Sequence, residues 1–119
     1  MARALAGADP ASARARRDVA VVLTATGDAL FEHDRAAARQ AYEEGLKALR
    51  GLLEIDGDNS EARLDLAKLL AKVALAFGGA ESYGDEALRL FADLQAAGRL
   101  SPREESDVAL LRQQLQPSR

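Results

Sequence analysis

His33 is the only histidine in the chain, and a lone histidine on a helix has two chemical uses. It can accept a phosphoryl group, as in four-helix phosphotransfer domains, or act as a general base. Phosphotransfer needs the imidazole in mid-helix, near a lysine and small residues that clear the phosphoryl group. His33 instead adjoins Asp34 where the helical pattern breaks, so its spacing favours a turn residue. Asp56, Asp58 and Glu61 form a second candidate, a calcium loop. Such a loop starting at Asp56 requires Gly at its sixth position and Glu at its twelfth. Those positions hold Glu61 and Ala67, which leaves a turn and a helix cap as the reading. Arg14, Arg16 and Arg17 could meet an acidic partner or nucleic acid, but three arginines on one turn also make an ordinary solvated face. Glu43-Glu44 and Glu104-Glu105 read as solvated faces too. No Ser/His/Asp set, glycine-rich phosphate loop or metal-ligand spacing stands out. The expectation is a non-enzymatic chain with no cofactor and no metal.

The residues that remain must therefore act as scaffold. The chain has 119 residues, 48% hydrophobic and 29% charged, with a formal net charge of −3. That length suits one domain, here 1–119, burying roughly two-thirds of its unfolded surface. Aromatic residues make up only 4%, and the alanine- and leucine-rich remainder suits helices packed at close range. A mildly acidic chain without a sustained basic face argues against nucleic-acid binding. The absence of cysteine excludes disulfides and thiolate chemistry and suits a reducing compartment. The longest apolar runs, such as Val19–Leu23, fall far short of the roughly 20 residues that span a bilayer. Met1–Arg17 is rich in Ala and Arg, but Asp9, Asp18 and the lack of an apolar run argue against a targeting segment. A cytoplasmic protein, or the accessory part of a larger bacterial-type one, is the expected setting.

Five helices are predicted. Residues 1–9 read as a frayed lead-in. Asp9-Pro10 starts helix one, which runs to about Glu32 with Val19, Val22, Leu23, Thr26 and Leu30 inward. Gly27 in its middle marks the close approach of a neighbour. Asp34 caps helix two, whose core stripe is Ala38, Ala41, Tyr42, Gly45, Leu46, Leu49 and Leu53, ending near Ile55. In the turn that follows, Gly57 can take positive φ, Asp58 or Asn59 can accept from the first free N–H groups of the next helix, and Asp58 with Glu61 has the form of a capping box. Two helices joined by so short a turn are expected to pack antiparallel. Helix three spans about Ser60 to Phe77 and stops at Gly78-Gly79. Ala80–Gly84 is a loop in which Ser82 and Asp85 offer a weak cap. Helix four, about Gly84 to Ala97, turns Ala87, Leu88, Leu90, Phe91 and Leu94 inward before Gly98. Ser101-Pro102-Arg103-Glu104 combines an N-cap, a first-position proline and a capping-box glutamate. Helix five then carries Val108, Leu111 and Leu115 on one side.

The first two helices can be laid over the next two. Leu23, Gly27 and Leu30 match Leu70, Ala74 and Phe77, while Ala38, Tyr42 and Gly45 match Ala87, Phe91 and Leu94. In each copy a small residue admits the neighbouring helix and an aromatic fills the space beside it. This pattern, with the turn Glu54–Glu61, resembles the tetratricopeptide repeat family over roughly Val19 to Ala97. The two copies here lie further apart than the family's usual 34 residues, mainly through a longer helix two. The resemblance implies an all-α fold of antiparallel hairpins, 10–55 and 60–97, with 102–115 as a capping helix. It also implies a protein-binding face on the first helix of each pair. By position those residues are Val21, Thr24, Asp28 and Phe31, then Lys68, Ala71, Lys72 and Leu75. Phe31 has two readings, an aromatic anchor for a partner peptide or packing under a loop or helix five. The expected function is a non-catalytic protein-interaction or scaffolding module. The alternatives are a homodimer through the apolar stripe of helix one or five, and a small phosphotransfer domain using His33.

Overall fold

Asp34 shows how local chemistry sets the helix boundaries. The computed structural model describes residues 10–78 and 80–115; the expected frayed segment 1–9 and Gly79 lie outside them. Helix α1, Pro10–Leu30, closes when Leu30 O accepts the N–H groups of His33 and Asp34 at 2.9 and 2.7 Å. It therefore ends two residues before Glu32. Asp34, in extended backbone, then accepts from Ala37 N at 3.1 Å and starts α2, Arg35–Ile55. Helices α3 (Ser60–Phe77), α4 (Asp85–Ala96) and α5 (Pro102–Leu115) follow. The fold is all-α: five α-helices and no strand among the described residues.

The junctions correct several expectations. The α3 cap is Asn59, whose Oδ1 accepts from Ala62 N at 3.0 Å while its Nδ2 donates to Asp56 Oδ2 at 3.2 Å. Asp58 and Glu61 do not form the capping box, because the helix begins one residue later than that box requires. Gly57 does not take positive φ; among the described residues, Gly78 (φ 89°) and Gly98 (φ 72°) are the ones that do. Ala80–Gly84 is a π-helical turn running directly into α4, not an open loop. Gly84 already has helical φ and ψ and no side chain caps α4 there, so the Ser82/Asp85 cap is not used. At the far end of α4, Gly98 N donates to Gln95 O at 3.0 Å and Arg99 N to Leu94 O at 2.8 Å. These are the paired bonds of a Schellman close, and the positive φ they need explains the glycine. The start of α5 is as expected: Ser101 N donates to Glu104 Oε1 at 2.9 Å, and Glu104 N donates to Ser101 Oγ at 3.1 Å.

The chain divides into two units, Met1–Ala62 and Arg63–Arg119. In the first, α1 and α2 form an antiparallel pair, with Gly27 against the Tyr42 ring and Arg16 beside Gly51. A Cβ placed on Gly27 would lie 2.5 Å from Tyr42 Cε1 and 2.6 Å from Cδ1, so the glycine is what lets the ring approach α1 this closely. Along α2 the buried residues are Ala38, Ala41, Tyr42, Gly45, Leu46, Leu49 and Leu52; Leu53 is half-buried in place of full burial. Helix α1 departs further from expectation. Its buried positions are Ala13, Ala20 and Gly27, with Leu23, Thr24 and Leu30 half-buried, whereas Val19, Val22 and Thr26 face solvent. A helix drawn close enough to seat Tyr42 on glycine presents its small side chains to its partner. The bulkier valines then fall on the opposite side.

In the second unit, Leu66, Leu69, Leu70, Ala71, Val73 and Ala74 of α3 are buried, with Ala87, Phe91 and Leu94 of α4 and Val108 and Leu115 of α5. Leu88, Leu90 and Leu111 are half-buried. Among the described residues no helix is long and apolar enough to cross a membrane.

Candidate functional site

The α3 residues singled out by position lie on one groove of the second unit. Lys68, Ala71, Lys72 and Leu75, with Ala76, form its α3 wall. Glu104, Asp107, Val108, Leu110, Leu111 and Gln114 form the α5 wall, and Phe91 of α4 lies at the base. The volume is about 610 Å³, within the roughly 300–1,000 Å³ range of binding pockets. Leu75 and Leu110 are 48% and 58% exposed, so two large apolar side chains stand at the groove's mouth without cover. Ala71 is buried, and its small side chain keeps the groove open between the lysines and the leucines.

The rims are charged and of opposite sign, Lys68 and Lys72 on α3 and Glu104 and Asp107 on α5. Lys68 Nζ lies 3.5 Å from Glu104 Oε2, an exposed pair worth at most about 1 kcal/mol. Glu104 is held below the ordinary carboxylate range, first by the Ser101 backbone N–H it accepts and further by Lys68. One carboxylate thus both caps α5 and ties the α5 wall to α3. The groove sets charge at its edges and hydrocarbon on its floor, with no nucleophile beside a base.

The α1 residues belong to the first unit and differ in character. Val21 is exposed. Thr24 is half-buried and donates its hydroxyl to Ala20 O at 2.8 Å. Asp28 is exposed and accepts from the Tyr42 hydroxyl across the α1–α2 pair. Burial of the Tyr42 ring, helped by that neighbouring carboxylate, raises its pKa well above the ordinary value. Phe31 is half-buried, and the Arg35 guanidinium carbon sits 4.5 Å from the ring centre, so a cation–π contact occupies this face. His33 is exposed in the α1–α2 turn.

A second recess, about 550 Å³ and polar, is lined by Ala13, Arg14, Arg17, Asp18, Asp56, Asn59 and Glu61. Arg17 Nη1 stands 3.5 Å from Glu61 Oε1. Its charges are mixed, so it selects neither anion nor cation. No group of three or more His, Asp or Glu among the described residues could hold a metal ion.

Sequence reasoning did not anticipate the α5 wall. Helix five was expected to present a single stripe, Val108, Leu111 and Leu115. Leu110, one position off that stripe, was the available signal, since an apolar residue there widens the apolar side of the helix beyond Val108 and Leu111. The Asp28–Tyr42 bond was likewise missed, because it links residues fourteen apart that only the paired helices bring together. No protein-family model, curated protein or solved structure matches the chain.

Proposed function

We propose that the chain is a non-catalytic protein–protein interaction module of tetratricopeptide-like helical hairpins. It holds a partner peptide or domain against α3 through Lys68, Ala71, Lys72 and Leu75. Val21, Thr24, Asp28 and Phe31 are the equivalent face of the first unit. The observation that carries the reading is the groove of the second unit, with Leu75 and Leu110 exposed above Phe91 between rims of opposite charge. An amphipathic helix with spaced apolar anchors is the occupant such a groove suits. The burial of its anchors would drive binding, and the Lys and Asp/Glu rims would set its direction. A cytoplasmic setting, suggested by the cysteine-free composition, belongs to the same proposal.

The test is affinity capture with the wild-type chain beside a Leu75→Glu/Leu110→Glu variant, both positions being exposed and tolerant of charge. The expected result is a protein recovered by the wild type and lost with the variant. That protein, once purified, should bind the variant at least about tenfold more weakly. Recovery of the same proteins by both baits would overturn the groove as the binding site.

A further inference from the structure

The outer face of α1 carries apolar residues that the monomer leaves in water. Ala15, Val19, Val22, Thr26 and Ala29 recur at intervals of three and four, and all are exposed, Val19 by 51% and Val22 by 63%. They lie opposite Ala13, Ala20 and Gly27, which face α2. Thr26 donates its hydroxyl to Val22 O at 2.9 Å, so its polar atom is already used by its own helix. The stripe is about 21 Å long at 1.5 Å per residue.

We propose that this face binds a second copy of the same chain, α1 against α1 in antiparallel register about Val22. Two features point to this occupant. The stripe extends equally on both sides of Val22, seven residues to Ala15 and seven to Ala29, so an antiparallel copy centred there covers its whole length. An isologous two-fold contact repeats each pairing twice; here it sets Ala15 on Ala29, Val19 beside Thr26 and Val22 on itself. The charges also run against the helix's own dipole, which favours acid at the N-terminus and base at the C-terminus. Helix α1 has no acid in its first turn and no base in its last. Arg14 flanks the stripe near its N-terminal end and Glu32 lies just past its C-terminal end, whereas Arg16 and Arg17 turn toward Gly51 and Glu61 and Asp28 toward Tyr42. In the antiparallel pair Arg14 of one copy meets Glu32 of the other at both ends. Asp18, bordering the stripe near Arg14, stays at its edge. This contact lies in the first unit and does not rest on the groove of the second.

A single helix face is a small interface, so association should fall in the micromolar range. Sedimentation velocity of the full chain from about 1 µM to about 1 mM brackets that strength. The expected result is a mass rising from monomer to dimer. Val22→Arg, which places two like charges on the two-fold axis, should weaken association at least about tenfold while leaving the helical melt intact. Arg14→Glu and Glu32→Arg should each weaken it, and the double exchange should restore it. Because the chain has no cysteine, Val22→Cys gives an independent reading. It should oxidise readily to a disulfide dimer, whereas Val21→Cys, similarly exposed at 53% but a third of a turn away, should not. A wild type that stays monomeric throughout, an unchanged dimer in Val22→Arg, a double exchange no better than either single change, or equal cross-linking at 21 and 22 would overturn the proposal.

Discussion

Two glycines in the α1–α2 pair should respond to the same substitution with opposite signs. In an open helix interior, Gly→Ala is stabilising by about 1 kcal/mol, because alanine restricts the unfolded chain and favours the helix. Gly51 of α2 meets that condition: a Cβ there finds only Arg16 Nη1 at 3.8 Å, the end of a flexible side chain. Gly51→Ala should therefore raise stability by about 0.5–1 kcal/mol. Gly27 carries the same propensity gain, but its new methyl would sit 2.5–2.9 Å from three atoms of the buried Tyr42 ring. Overpacking of this kind costs about 1–3 kcal/mol. If the ring turns aside to escape, the hydroxyl bond to Asp28 is lost as well, about 1–2 kcal/mol more for a partly exposed charged acceptor. Once the propensity gain of about 1 kcal/mol is subtracted, the net loss from Gly27→Ala is about 0–2 kcal/mol if the ring keeps that bond and about 1–4 kcal/mol if it does not. Chemical denaturation followed by circular dichroism would measure both variants, with unchanged slopes to show that the unfolded state is unaltered. A double-mutant cycle sharpens the test: in a Tyr42→Leu background the obstacle is smaller, and Gly27→Ala should become less harmful. Equal stabilisation by alanine at 27 and 51 would refute the close packing of α1 on the Tyr42 ring.

Other outcomes follow from the same contacts. Tyr42→Phe should cost about 1 kcal/mol through the lost bond to Asp28. It should also change the alkaline limb. The folded-state pKa of Tyr42 is raised above the ordinary value of 10, so its contribution is complete below pH 10 and declines above it as the unfolded chain ionises. Urea titrations at rising pH should show a shallower alkaline loss in the Phe variant. Asn59→Ala should cost about 1 kcal/mol as a lost N-cap, whereas Asp58→Ala should stay within about 0.5 kcal/mol; equal losses would reinstate Asp58 as the cap. Phe91→Ala removes the buried ring at the base of the groove and should cost about 3–5 kcal/mol, seen as a large fall in Tm. Glu104→Gln should remove an acid-side contribution. Its lowered pKa stabilises the fold above the ordinary glutamate value and is lost as pH falls through the folded one, so the variant's stability should vary less below pH 5.

The capping box Ser101–Glu104, the Asp34 cap and the glycine stop at Gly98 were legible because each depends on atoms within three to five residues of one another. Sequence alone therefore determined the number of helices, most of their boundaries and the all-α class. The burial of Tyr42 and Phe91 was legible too, since a large ring on a regular apolar stripe has few other places to go. Where two neighbours had similar chemistry, only the folded chain decided. Asp58 and Asn59 can each cap, and the start of α3 at Ser60 chose Asn59. The π-helical turn at Ala80–Gly84 has no distinctive residue pattern, so a loop was the natural expectation. Helix α1 is the clearest case. Val19, Ala20, Val21, Val22 and Leu23 form an unbroken apolar run, and such a run has no single preferred face. Hydrophobicity alone favoured the valines as core. The fit of Tyr42 onto Gly27 turned the alanines inward and left Val19 and Val22 outside. The groove beside Leu75 likewise exists only because α5 comes back alongside α3. A helix cap is a local bond, but a helix's buried face is set by the shape of its neighbour, and that neighbour is known only once the chain has folded.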